Sequence, residues 1–352
     1  MFGLQRIAQL SEDLAPVDVH IDGQGHELRV TWSEEDGKQH KSTYSAEWLV
    51  AKATNVEAQR HSSAFNIVAI PKSVKPSPWD RESIMGLGSP EVSYEEVMSG
   101  TEGMAKWVRM LHTHGYSIVT GTPATAEATQ QVMAQFGPAK NGLFGLLWDF
   151  TVHAEASQDS LEHSDTAYTP VALQPHSDGC YCVEPPGLQA FHILEHTGQG
   201  GATVLVDGFN VAARLRAHNP DAFDYLANTP ITFHYWDVDN FLEARQRIIT
   251  LDPNGEVTRF VYNNDDRSPV YLPPEQADRH YAAIRALLRE VQSPANQHTF
   301  RLSPGRMLVT NNWRVMHGRT AFTGSRRLSG SYLSMDHFGS RTRTLLHSQG
   351  LH

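Results

Sequence analysis

The chain has 352 residues, 40% hydrophobic and 19% charged, an ordinary composition for a water-soluble protein and long enough for one large catalytic domain or a catalytic domain with a small companion. A net charge of −10 argues against nucleic acid and anionic membrane surfaces as partners, and no apolar run approaches the roughly 20 residues of a membrane span. The two cysteines, Cys180 and Cys182, occupy alternate positions of one segment, which is poor geometry for pairing. A reducing, cytoplasmic setting is therefore expected, and the first residues resemble neither a signal nor a transit peptide.

In chain order, residues 17–32 read as strand, turn and strand: Asp22-Gly-Gln-Gly25 is a turn signal, and Leu28 to Trp32 alternates apolar with polar. A short helix is expected over 45–53, capped by Ser45, with Trp48 and Leu49 inward. Residues 1–72 thus form a small β-rich domain, and the proline-rich run from Pro71 to Pro78 marks a linker, set at 73–83. Ser93-Tyr-Glu-Glu96 is a capping box, and Met104, Trp107, Val108 and Leu111 space one face of a helix closed by Gly115. A strand at 116–120 and a helix at 125–136 follow. Beyond Gly137 come many short β segments, interrupted by a helix at about 274–292 whose buried face is read as Tyr281, Ile284, Leu288 and Val291. Residues 84–352 therefore read as a mostly β domain with helices, a sandwich or barrel.

The chemistry is carried by a short pattern. Strand side chains alternate, so a His and an Asp two residues apart share a face and can hold neighbouring sites on a divalent metal. His-x-Asp occurs three times, at His20–Asp22, His163–Asp165 and His176–Asp178, and spacing alone prefers none of them; the first runs into a turn, where hairpin chemistry is its expected role. A distal histidine would complete a 2-His-1-carboxylate triad, which leaves positions open for oxygen chemistry at Fe(II). Among the later histidines, His192 lies in an apolar strand, and His218 and His280 lie in helical contexts. His317 follows a strand and a turn, and the next strand carries Arg326, Leu328, Gly330 and Tyr332 on one face. An arginine beside a metal is a bidentate anchor for the far carboxylate of a 2-oxoacid.

The stretch from Asn311 through His317 and Arg326 to Leu333 resembles the trimethyllysine and γ-butyrobetaine dioxygenase family, which is TauD-like. So do Asp165-Thr-Ala-Tyr168, His176-Ser-Asp178, Gly200-Gly-Ala-Thr203 and Tyr262-Asn-Asn264, in order. The resemblance spans roughly 80 to 345. It implies a double-stranded β-helix, or jelly roll, and an Fe(II)- and 2-oxoglutarate-dependent dioxygenase that uses O2 to hydroxylate a small trimethylammonium compound such as trimethyllysine, γ-butyrobetaine or a phosphonate analogue. By the same resemblance His176, Asp178 and His317 bind iron, and Arg326, with a hydroxyl from Thr203, binds 2-oxoglutarate. Its neighbour Arg327 should point the other way. Trp148, Tyr168 and Tyr332 would form an aromatic cage for the cation, with Phe144 where relatives have tyrosine and Tyr181 nearby. Asp165, Asn263 and Asn264 would meet the polar end.

The chain departs from the family in its N-terminal module, where relatives bind zinc through three cysteines and a histidine. It has no cysteine before Cys180, so no zinc site is expected there. Other readings remain open: the same chemistry on a non-quaternary amine or sulfonate, a zinc hydrolase, or a non-catalytic jelly-roll binding protein. A small cationic or zwitterionic substrate and a homodimer are expected.

Overall fold

The computed structural model describes residues 15–33, 39–50, 74–154 and 169–348. The chain divides into two compact units, Met1–Ile67 and Val68–His352. In the first unit, strands β1 (Ala15–Ile21), β2 (Glu27–Ser33) and β3 (Gln39–Ser45) form one antiparallel sheet. The turn after β1 is held by Asp22, whose Oδ1 accepts the backbone N–H groups of His26 and Glu27; this is the hairpin role of the first His-x-Asp pair. Residues 46–50 are helical, and the Ser45 hydroxyl accepts the Trp48 N–H. Trp48 does not face inward: it is 49% exposed and stacks on Tyr44.

The second unit holds two antiparallel-rich sheets. The smaller is ordered β14 (Gln297–Phe300), β9 (Thr203–Asp207), β16 (Val315–Arg319) and β7 (Leu173–His176). The larger is ordered β4 (Glu91–Ser93), β5 (Tyr116–Thr120), β15 (Arg306–Asn311), β8 (Leu188–His196), β17 (Ser325–Gly330) and β6 (Trp148–His153), with β18 (Tyr332–Leu333) also paired to β8. Apart from the parallel pair β4–β5, neighbours in each sheet are distant in sequence, as in a jelly roll. Aromatic and aliphatic side chains of both sheets, among them Tyr116, Trp148, Ile193, Leu205 and Leu328, meet between them.

Helices cover the outside. Helix α1 (Arg81–Leu87), which begins inside the segment read as a linker, is not among the expected elements; the expected helices α2 (Tyr94–Met98), α3 (Thr101–His114) and α4 (Ala126–Met133) follow in order. Ser93 and Glu96 close the capping box reciprocally, and Gly115 ends α3 at φ 77, a left-handed conformation that a side chain resists. Met104, Trp107, Val108 and Leu111 are buried, as their spacing requires. Helices α5 (Gly208–His218) and α6 (Pro220–Asn228) pack on hairpin β12–β13 (Ile249–Leu251, Val257–Phe260), α7 (Pro274–Gln292) packs on α5 and α6, hairpin β10–β11 (Ile231–Trp236, Phe241–Gln246) adds to the same core, and α8 (Met335–Ser348) ends the unit. On α7, Ile284 and Val291 are buried as read and Leu288 packs partly buried against the same core, whereas Tyr281 is 39% exposed and the face extends instead to His280, Ala283 and Leu287. Helices α5 and α6 present partners on that side, Tyr225 bonding His280, which periodicity cannot show.

The segment read as a linker carries an anchor. Trp79 is buried; its backbone N–H donates to Asp207 and its indole N–H to the His114 carbonyl.

Candidate active site

A cavity of about 420 Å3 opens between the two sheets. His176 ends β7 and His317 sits on β16, and antiparallel register sets them directly opposite each other. Asp178 follows in the turn after β7. One ligand atom from each of the three lies within 4.8 Å of the others. Asp178 Oδ1 is 3.3 Å from His176 Nε2 and 3.6 Å from His317 Nε2. His176 Nδ1 is 2.7 Å from the Gln174 carbonyl oxygen. That oxygen can only accept, so Nδ1 carries the hydrogen and Nε2 is left as a ligand. Asn312 pins the turn: its Oδ1 accepts the Asp178 N–H at 2.9 Å, and its amide donates to the carbonyls of Asp178 and Pro186.

The charges of the three groups are coupled. Burial by itself would lower His176, but the hydrogen bond and charge of Asp178 outweigh it and raise the imidazole to about 9. Burial drives His317 down to about 3. For Asp178, burial would raise the carboxyl, yet the charges of His317 and His176 and the Tyr332 hydrogen bond hold it below the usual carboxylate range. One imidazole thus holds a proton beside the carboxylate, and a divalent cation would take that proton's place against two neutral nitrogens and one oxygen. The donor set, converging and open toward the cavity, fits an octahedral metal with open positions.

Behind the triad lies a cationic end. Arg326 is 7% exposed on β17, lines the cavity, and its Nε has no hydrogen-bond partner among the described residues. Burial and the charge of Arg319 push its guanidinium down to about 9, so it is still a cation at neutral pH. A buried cation beside another cation calls for an anion, and the far carboxylate of a 2-oxoacid fits. Thr203, on β9 opposite Arg319, lines the same cavity. Arg327 points out as alternation requires, pairing with Asp149 and Glu195.

Phe144, Trp148 and Tyr332 form one aromatic wall of the cavity, with the Trp148 and Tyr332 ring centroids 6.4 Å apart. Tyr181 and Asn263 line it too. Asn264 does not. It lines a smaller neighbouring cavity that Asn263 also borders, and its Oδ1 accepts the Tyr262 hydroxyl, which turns it from the main cavity. Asp165 and Tyr168 lie outside the described residues. Several lining residues escaped the sequence reading: Gln189, Arg319, Tyr235, Trp236, Asp265 and Asp266. Gln189 had a signal, being a lone amide inside the apolar run of β8; the hairpin and loop residues had none.

Residues 74–332 match the family described as "Taurine catabolism dioxygenase TauD, TfdA family". The chain belongs to this family of dioxygenases. It is 31% identical over 349 residues to trimethyllysine dioxygenase of Meyerozyma guilliermondii, covering 96% of this chain and 83% of that one. It is 32% identical over 348 residues to mitochondrial trimethyllysine dioxygenase of Homo sapiens, covering 96% and 77%. With γ-butyrobetaine dioxygenase of Homo sapiens the identity is 29% over 324 residues, covering 90% and 79%. Among solved structures, a putative α-ketoglutarate-dependent taurine dioxygenase from Burkholderia xenovorans superposes with a TM-score of 0.52 at 16% identity, covering 67% of this chain and 84% of that one. At that identity the likeness shows the jelly-roll fold. No helix among the described residues is long and apolar enough to cross a membrane.

Proposed function

We propose that this dioxygenase is an Fe(II)- and 2-oxoglutarate-dependent hydroxylase of a small trimethylammonium amino acid, of which trimethyllysine is the type. The observation that carries it is the single cavity in which the His176, Asp178 and His317 ligand atoms, the buried Arg326 and the Phe144–Trp148–Tyr332 wall come together. His176, Asp178 and His317 hold the iron. Bound there, the metal couples oxidative decarboxylation of 2-oxoglutarate, to succinate and CO2, with insertion of one atom of O2 into a substrate C–H bond. Arg326 and Thr203 receive the far carboxylate of 2-oxoglutarate and so orient its keto acid end toward the triad.

A trimethylammonium group donates no hydrogen bond; it is recognised by ring faces, which Trp148, Tyr332 and Phe144 offer in a partly dehydrated wall. The remaining charges favour the amino-acid end. Asp178 is committed to the metal and Arg326 to the cosubstrate. Arg319 donates through Nη2 to the carbonyls of Thr169 and Val171. Asp265 and Asp266 also line the cavity, so its balance suits a substrate with a second cationic group and disfavours a phosphonate dianion. Asn263 supplies a neutral partner for the carboxylate. Two free cysteines, Cys180 and Cys182, accord with a cytoplasmic enzyme, and we take it to act as a homodimer.

Succinate release from 2-oxoglutarate, measured against trimethyllysine, γ-butyrobetaine and a trimethylammonium phosphonate, is the test. Trimethyllysine should give the highest kcat/KM. The His176→Ala and Arg326→Ala variants should lose turnover by more than about 100-fold. Full turnover by His176→Ala would sink the iron assignment, and equal turnover of the phosphonate would sink the charge argument.

A further inference from the structure

Tyr332 has a second contact that a cage residue does not need. Its hydroxyl donates to Asp178 Oδ2 at 2.7 Å. Gln189 Nε2 lies 2.5 Å from that same oxygen. A carboxylate oxygen only accepts, so the amide nitrogen, not Gln189 Oε1, is the atom that faces it. The two donors are cross-strand partners, Tyr332 of β18 opposite Gln189 of β8, so the ladder itself brings their side chains together. Gln189 is 1% exposed, which makes its placement a property of the packed interior rather than of a mobile surface.

The consequence for Asp178 is asymmetric. Oδ1 faces the Nε2 atoms of both histidines, while Oδ2 is occupied by two hydrogen bonds. Both donors stand on the larger sheet, and Asp178 follows β7 of the smaller one. The contact therefore spans the cavity. We infer that Gln189 and Tyr332 are positioning residues that clamp Asp178 so that it offers the metal one oxygen and not two. A bidentate carboxylate would fill a position that cosubstrate or O2 requires; the clamp keeps that position open. Tyr332 thus serves the reaction twice, through its ring as a wall of the substrate cavity and through its hydroxyl as a holder of the metal's carboxylate. This inference rests on the iron reading of the triad.

Two substitutions separate the roles. Tyr332→Phe keeps the aromatic wall and removes the hydroxyl, and Gln189→Met keeps the volume and removes the donor. The full-length protein is titrated with Co(II), followed by its visible absorption, beside wild type and His176→Ala. Each variant should weaken Co(II) binding about 10- to 100-fold, with the metal-free melting temperature of Tyr332→Phe unchanged. A purely structural role for Tyr332 would lower the melting temperature and leave Co(II) affinity alone. Wild-type Co(II) affinity in both variants overturns the clamp and leaves the triad standing. Failure of wild type itself to bind Co(II), or binding undiminished in His176→Ala, overturns the metal reading and the clamp with it.

Discussion

Two buried arginines, one beneath the helical layer and one in the cavity, are answered by the protein to very different degrees. Arg314 is 1% exposed. Its Nε and Nη2 donate to the two oxygens of Asp207 at 3.0 and 2.8 Å, and its remaining hydrogens reach the carbonyls of Ser77, His112 and Thr113. Asp207 in turn accepts the backbone N–H groups of Trp79 and Phe209. Every charge there is answered by the protein, and the result ties the segment before α1, the end of α3, β9 and the β15–β16 turn into one corner. Arg326 is almost as deeply buried, but its Nε has no partner among the described residues and the charge that acts on it is another cation, Arg319. The fold bears the desolvation of that guanidinium without answering it. Equal burial with unequal satisfaction separates the staple from the arginine proposed to anchor the cosubstrate.

The contrast can be broken at either end. The largest effect belongs to Arg314→Met, which strands Asp207 in the interior and should cost about 3–5 kcal/mol of stability in urea unfolding. Adding Asp207→Leu should recover only part of this, since Trp79 and Phe209 would lose their acceptor. Arg326→Gln should behave in the opposite way: calorimetric affinity for 2-oxoglutarate falls about 100-fold or more, while the melting temperature holds. If Arg326→Gln unfolds as readily as Arg314→Met and still binds 2-oxoglutarate, the comparison fails.

A third expectation concerns acid. Burial, and then the charge of Arg314, lower His112 to about 4. The unfolded chain takes up that proton near the ordinary histidine value of about 6.5, before the fold does. Stability should therefore be fully present above about 6.5 and be lost as pH falls toward 4. Between pH 7 and 5 this one group contributes on the order of 2 kcal/mol, and His112→Gln should flatten the urea midpoint over that range by a corresponding amount. The smallest effect is the sharpest control. Arg327→Ala removes the exposed neighbour that pairs with Asp149, and should change neither 2-oxoglutarate affinity nor melting temperature; a loss of cosubstrate binding there would transfer the anchoring role from Arg326.

Much of the site was legible before any coordinates. Strand alternation is a local rule, so Arg326 inward and Arg327 outward follow from the chain alone, as do the capping box at Ser93 and the buried stripe of α3. Ordered motifs carried the triad, because metal chemistry restricts which residue types can serve and the intervals between them are set by the strands they sit on. Composition and spacing did not prefer His176–Asp178 over His163–Asp165, and register across β7 and β16 is what sets His317 opposite His176.

Other features depended on partners remote in sequence. Tyr281 satisfies helical periodicity as well as His280 does, and helices α5 and α6 packed against α7 decided which of them is buried. Asn263 and Asn264 are alike in type and adjacent, and only the path of the backbone turned one toward the cavity. Gln189 and Tyr332 are separated by more than a hundred residues in the chain, yet the pairing of β8 with β18 brings both to one oxygen of Asp178. Periodicity and chemical type act within a segment and can be read from it. Which oxygen is capped, which cation is answered and which face is covered are set by atoms that meet only after the sheets have closed.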